Sequence, residues 1–231
     1  MASPGQLARC ISDILQIPQP TVTEIDRRLV TFRDDHHDGL RSKAGRGKSA
    51  ARVTARDAAT LLIATLAAPV AGPVTVRAVD TYFTYAFLPL SNRHGEDVGL
   101  PSLQALPDGH TFATAIETLI ESAVSGELQD AFAAHRAEPA SAGFSPHVEI
   151  SIVAPSPRAD ISVRLKRKSL GLHYGRAEAP TIYTDTRAPK GRPFRYSDLR
   201  QVREITHRTI LEIARVLADE PVPTGNEFAE A

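Results

Sequence analysis

The chain has 231 residues, enough to bury a sizeable core as one large or two small domains. Its hydrophobic share of 42% and charged share of 23% are those of a globular chain, and no run reaches the ~18 uninterrupted apolar residues of a membrane span, so no membrane partner is expected. A single cysteine, Cys10, excludes an intrachain disulfide and a cysteine-based zinc site, and without a basic-then-apolar leader the expected location is cytoplasmic.

The net charge of zero hides a block pattern: +4 over residues 1–56, −8 over 57–157, +8 over 158–215 and −4 over 216–231. Basic blocks around an acidic middle suit nucleic-acid contact, and they suit complementary self-association equally well.

In chain order, Ser3-Pro4-Gly5-Gln6 is a capping box with proline at the first helical position, where its missing N–H costs nothing. Leu7, Ile11, Ile14 and Leu15 then share one helical face. Pro18 excludes Ile17 from the helical region and stops this helix. A second capping box, Thr21-Val22-Thr23-Glu24, predicts the next helix, with Val22, Ile25, Leu29 and Phe32 as its inner stripe. Thr21, Thr23, Glu24, Arg27 and Arg28 are left on the outer face. Two arms, Leu40–Lys43 and Lys48–Val53, then flank the two-glycine tip Ala44-Gly45-Arg46-Gly47, which permits the positive φ of a hairpin. This hairpin is basic, with Arg41, Lys43, Arg46, Lys48 and Arg52.

Helix, turn, helix and basic hairpin in this order, from Ser3 to Thr54, resemble the winged helix-turn-helix family of DNA-binding proteins. The resemblance implies that the second helix enters the major groove and the hairpin wing touches the backbone or the minor groove. Carried over by position, Thr21, Thr23, Glu24, Arg27 and Arg28 face the groove, and Arg41, Lys43, Arg46, Lys48 and Arg52 belong to the wing. The acidic stretch Asp34-Asp35-His36-His37-Asp38 then has to face away from the DNA.

Thr54–Ala67 reads as a helix capped by Thr54, with Asp57 favouring the dipole, and it is apolar nearly all round and therefore buried. Between Pro73 and Leu88, the spacing of Val76, Val79, Phe83, Ala86 and Phe87 favours a helix over the strand that the Val, Thr and aromatic content suggests. Asn92–Pro107 reads as a Gly/Pro-punctuated loop. Thr111–Arg136 reads as a long helix that Gly126, costing about 1 kcal/mol relative to Ala, can split. Residues 138–146 read as a linker.

Beyond it the period changes to two. Val148, Ile150 and Ile152, then Ile161, Val163 and Leu165, then Leu170, Leu172 and Tyr174 predict a three-stranded antiparallel meander, with Ile182-Tyr183 a candidate fourth strand. Ser197–Leu217 reads as a covering helix, with Leu199, Val202, Ile205, Ile210, Ile213, Val216 and Leu217 as its stripe, and the tail from Pro221 reads as acidic and disordered. The expected architecture is a mostly helical α+β fold. It comprises a winged helix-turn-helix domain (1–68), a helical middle (69–137), a linker (138–146), an α+β module (147–218) and a tail (219–231).

Ser42–Ser49 ends like a phosphate-binding loop, but the preceding stretch is too polar to be the buried strand that such a loop follows. The Asp34–Asp38 cluster is adjacent in sequence, and adjacent residues seldom converge on one metal. With no G-x-S-x-G, H-E-x-x-H or Cys/His pattern, neither an enzyme nor a cofactor is expected. Arg164, Lys166, Lys168, Arg187, Lys190, Arg192 and Arg195 form a second basic group, either an anionic contact or a solvated surface. The expected function is sequence-specific binding of double-stranded DNA as a transcriptional regulator, with a homodimer formed through the apolar stripes of the two long helices. Two alternatives are a phage-type packaging factor resembling terminase small subunits in architecture, and an enzyme or non-DNA interaction protein.

Overall fold

The computed structural model describes residues 2–33, 39–41, 52–68, 77–139, 143–154, 157–175 and 201–219. Helix α1 (Pro4–Leu15) begins with the expected box: Gln6 N–H donates to Ser3 Oγ, and Ser3 N–H donates to Gln6 Oε1 at 2.7 Å. It ends at Gln16 in the left-handed region, φ 53°. Helix α2 spans Gln19–Thr31 and corrects its expected start. Pro18 is the cap and makes no side-chain hydrogen bond, and Pro20 sits in the first turn, where its fixed φ suits a helix. The Pro-Gln-Pro run therefore opens one helix as well as closing another, and Thr21 lies inside α2.

Helix α3 (Ala55–Ala67) has the expected Thr54 cap, which Asp57 turns into a box by bonding it reciprocally, and it is buried from Asp57 to its end. The described part of the ambiguous stretch that follows contains helix α4 (Ala78–Ala86), and residues 73–76 lie outside the described residues. Tyr85 on α4 donates its hydroxyl to the Val153 carbonyl at 2.8 Å, fastening the helix to the sheet.

The expected loop 92–107 contains an edge strand, β1 (Leu90–Gly95), and a short helix, α5 (Pro101–Gln104). Most of β1 is exposed, so it has no apolar alternation to show in the sequence. The expected long helix is two, α6 (Phe112–Ser125) and α7 (Glu127–Ala137), broken where Gly126 adopts φ 91°. The meander is as expected: β2 (His147–Ala154), β3 (Arg158–Leu165) and β4 (Lys168–Tyr174).

The expected helix from Ser197 is corrected. Residues Gln201–Thr206 form β5, paired antiparallel to β2, and only His207–Ala218 form the helix, α8. Val202 and Ile205 fit a helical stripe, but a free edge on β2 captures their backbone. Among the described residues the sheet has five strands in the order β1-β4-β3-β2-β5, so with the helices the fold is a mostly helical α+β fold. Ile182-Tyr183, the cations from Arg187 to Arg195 and the tail from Pro221 lie outside the described residues.

Among the described residues, one apolar core cluster takes members from Ala2 to Leu217. Helix α8 packs on α1 and α6, and Ile116, Leu119, Ile120, Ile210, Ile213 and Leu217 are buried. These members of the two stripes are thus used within the chain, while Val124 and Val202 of the same stripes are exposed. Among the described residues, no helix is long and apolar enough to cross a membrane.

Candidate nucleic-acid interface

Val22, Ile25 and Leu29 are fully buried and fix the inner side of α2. The opposite side exposes Thr23, Arg27 and Thr31, with Glu24 and Arg28 half-exposed beside them. These side chains are organised by one carboxylate. Arg27 donates from Nε and Nη2 to the two oxygens of Glu24, each at 2.7 Å, and Arg28 donates from Nε at 2.9 Å. Helical spacings of three and four residues bring them together. The hydrogen bond from Arg27, with its charge and that of Arg28, holds the Glu24 carboxyl down at about 2, so the cluster keeps one net positive charge.

The structure brings Thr23, Glu24, Arg27 and Arg28 onto one face and separates the rest. Thr21 turns away from that face and lines a cavity beside β5. Arg41, read from the sequence as a wing residue, is 4% exposed. Its guanidinium pairs with Asp26 of α2 and lies 4.0 Å from Asp57, the capping residue of α3. Burial pulls its pKa below the ordinary arginine value, yet a guanidinium stays protonated. Arg41 is therefore an internal brace between α2 and α3. Arg52 is exposed just before the α3 cap, while Lys43, Arg46 and Lys48 lie outside the described residues.

A second basic surface forms at the β3–β4 turn. Lys166 and Arg167 both take positive φ, 50° and 59°, the twist of a two-residue hairpin. His135 of α7 secures this turn, because Lys166 N–H donates to its Nδ1 at 2.6 Å. Nε2 must then carry the ring proton, which it donates to the Phe144 carbonyl at 2.7 Å. Phe144 is 57% exposed, and the Arg167 guanidinium lies 5.2 Å from its ring centroid. Arg164, Arg167, Lys168 and His147 border an open groove of about 810 Å³ beside it. Among the described residues, no carboxylate lies within ion-pair distance of Arg164, Arg167 or Lys168. Sequence reasoning found Arg164 and Lys168 but missed Phe144 and His135. The one available signal was a lone aromatic in the small, polar stretch Gly143-Phe144-Ser145-Pro146.

A third constellation stands on the other face of the sheet from the helices. His173 Nδ1 hydrogen-bonds the Asp160 carboxylate, and its Nε2 lies 3.2 Å from His94 Nδ1. Gly171 makes room for it, since a Cβ there would sit 2.3 Å from the His94 ring. Among the described residues, no group of three or more His, Cys, Asp or Glu side chains is arranged to hold a metal ion.

The chain matches no protein-family model, no curated protein and no solved structure. The winged-helix resemblance therefore rests on its own residues.

Proposed function

We propose that the protein binds double-stranded DNA sequence-specifically, as a transcriptional regulator, with the Thr23–Arg27–Arg28 face of α2 in the major groove. The observation that carries this reading is the division of α2. One side is locked into the core by Val22, Ile25 and Leu29, and the other presents a hydroxyl and two arginines in a fixed arrangement. Guanine offers O6 and N7 to an arginine fork, so base edges and phosphates compete with Glu24 for Arg27 and Arg28. The exposed Arg52 and the Lys/Arg-rich stretch before it add backbone contacts. The cations at the β3–β4 turn form a second phosphate contact.

Selection from a random duplex library, followed by titration at several salt concentrations, tests the proposal. Log affinity should fall linearly with log salt, because each neutralised phosphate releases counterions. Thr23→Ala and Arg28→Ala should change the selected sequence, as residues reading base edges do. Absence of duplex binding at low salt overturns the reading. Light scattering coupled to size exclusion measures the assembly that the protein brings to DNA. A dimer fits a two-fold operator with half-sites about 10 base pairs apart, and a large closed ring favours the packaging alternative.

A further inference from the structure

We propose that the cavity between the α1–α2 turn, the end of α3 and β5 binds a small amphipathic carboxylate, whose head group pairs with Arg203. The cavity holds about 500 Å³, and its walls are mainly apolar: Leu15, Ile17, Pro18, Ile25, Leu66 and Ile205. That size lies within the roughly 300–1,000 Å³ of small-molecule sites, which pair apolar walls with a few placed polar groups.

Here the placed group is a cation. Arg203 stands in register with the buried Ile152, so its side chain is on the helix-covered side of the sheet. Its Nη1 donates to the carbonyls of Thr65 at 3.2 Å and Leu66 at 2.6 Å, the open end of α3. Those bonds hold the guanidinium still and leave its other N–H groups available. A helix C-terminus carries only roughly half a negative charge, so it does not neutralise the arginine. Among the described residues, no carboxylate lies within ion-pair distance of Arg203. Glu204, its chain neighbour, also borders the cavity, but it stands in register with Ser151 on the exposed face, because successive strand residues point to opposite faces.

A half-buried cation on an apolar wall without a counterion is costly, and an arriving carboxylate relieves that cost while matching the guanidinium fork. The apolar walls require that the carboxylate bring an apolar body with it. Thr21 and Ile25 of α2 also line the cavity, so an occupant presses on the helix whose far side carries Arg27 and Arg28. Ligand binding stands independently of DNA binding. Its regulatory effect on α2 rests on the proposed function.

Titration calorimetry of the full chain with octanoate and with 1-octanol tests the site. Octanoate should saturate one site and bind about tenfold or more tighter than the alcohol, the lower range of a charge-assisted hydrogen bond. Arg203→Met should bring the two affinities together, and Arg203→Lys should retain part of the preference. Arg203 also caps α3, so Ile17→Phe provides a variant that narrows the cavity without touching that cap. It should weaken octanoate about tenfold or more at unchanged melting temperature. The proposal is overturned by equal affinity for the two ligands, by binding of neither, by a preference that survives Arg203→Met, or by wild-type affinity in Ile17→Phe. Octanoate is then added to duplex titrations. Failure to bind duplex at all strikes the proposed function and leaves the calorimetric result standing. Duplex binding indifferent to saturating octanoate overturns only the coupling.

Discussion

On α2, Arg27 and Arg28 both donate to Glu24, and nearby Arg41 is sealed against Asp26. At the β3–β4 turn, Arg164, Arg167 and Lys168 border an open groove, and the group over which Arg167 rests is an aromatic ring. Both regions are runs of basic residues in the sequence, and the structure gives them opposite electrostatic characters. A guanidinium tied to a carboxylate is held in a defined direction but projects a weak field. One without a carboxylate at ion-pair distance is less compensated and projects more of its charge. The first arrangement suits selective contact with particular acceptors. The second suits sequence-independent attraction to phosphate.

The largest effect should come from Arg41. If it is an internal brace, Arg41→Met removes the buried cation paired with Asp26, and urea denaturation should show a loss of about 3–5 kcal/mol. Arg27→Ala, which removes an exposed partner, should change stability by no more than about 1 kcal/mol. Similar losses for the two variants would erase the distinction between buried and surface arginines.

Next in size is a pH effect beside the turn. Burial, then His147, Arg208 and Arg136, push the His207 imidazole down from its ordinary value to about 4. Its position in the first turn of α8 adds a helix dipole that opposes protonation. The folded state thus binds fewer protons than the unfolded chain between about pH 6.5 and 4, so this contribution is present above pH 6.5 and is lost as pH falls towards 4. Because the ring is only half-buried, the loss should be on the order of 1–2 kcal/mol after discounting for solvent screening. Denaturation midpoints measured from pH 7 to pH 4 should fall less steeply in His207→Gln. An equal slope would show that folding does not hold the His207 imidazole neutral.

Glu24→Gln should raise duplex affinity several-fold at low salt, because both arginines lose an internal competitor. Fluorescence anisotropy measures this, and a fall in affinity would mean that Glu24 orients the arginines more than it restrains them. At the turn, Arg164→Ala or Lys168→Ala should each reduce the slope of log affinity against log salt by about 1 without altering the preferred sequence. The smallest change should follow Phe144→Ala. In a duplex the bases are stacked on one another, so loss of this ring should leave affinity within about twofold. A loss of ~1–3 kcal/mol, measured on single strands instead, would show that the groove takes unpaired bases.

The contrast between the two basic regions was only partly visible before folding. The i, i+3 and i, i+4 spacings of Glu24, Arg27 and Arg28 place them together on any helix, so that cluster could be read directly. Arg41 could not be separated from Arg52 in the same way, because both precede or follow polar residues in a basic stretch. Only the position of Asp26 and Asp57 shows that one is internal and the other exposed. The β3–β4 groove needs α7, the residues around Phe144 and two strands at once, held together by His135, and no local pattern carries that information.

By itself the sequence determined what short-range bonding and periodicity control. It set the box Ser3–Gln6, the cap Thr54, the break at Gly126 and the alternation of β2, β3 and β4. Each depends on residues a few positions apart, whose hydrogen bonds or side-chain directions hardly vary with context. Tertiary structure decided the rest. Strands β1 and β5 exist because β4 and β2 present edges with unpaired backbone groups, and neither carries a distinctive alternation of its own. The burial of Arg41, the turning of Thr21 into a cavity and the placing of Arg203 on its wall are set by what distant segments bring beside them. The cost of a charge depends on its surroundings, and those surroundings are assembled only when the chain folds.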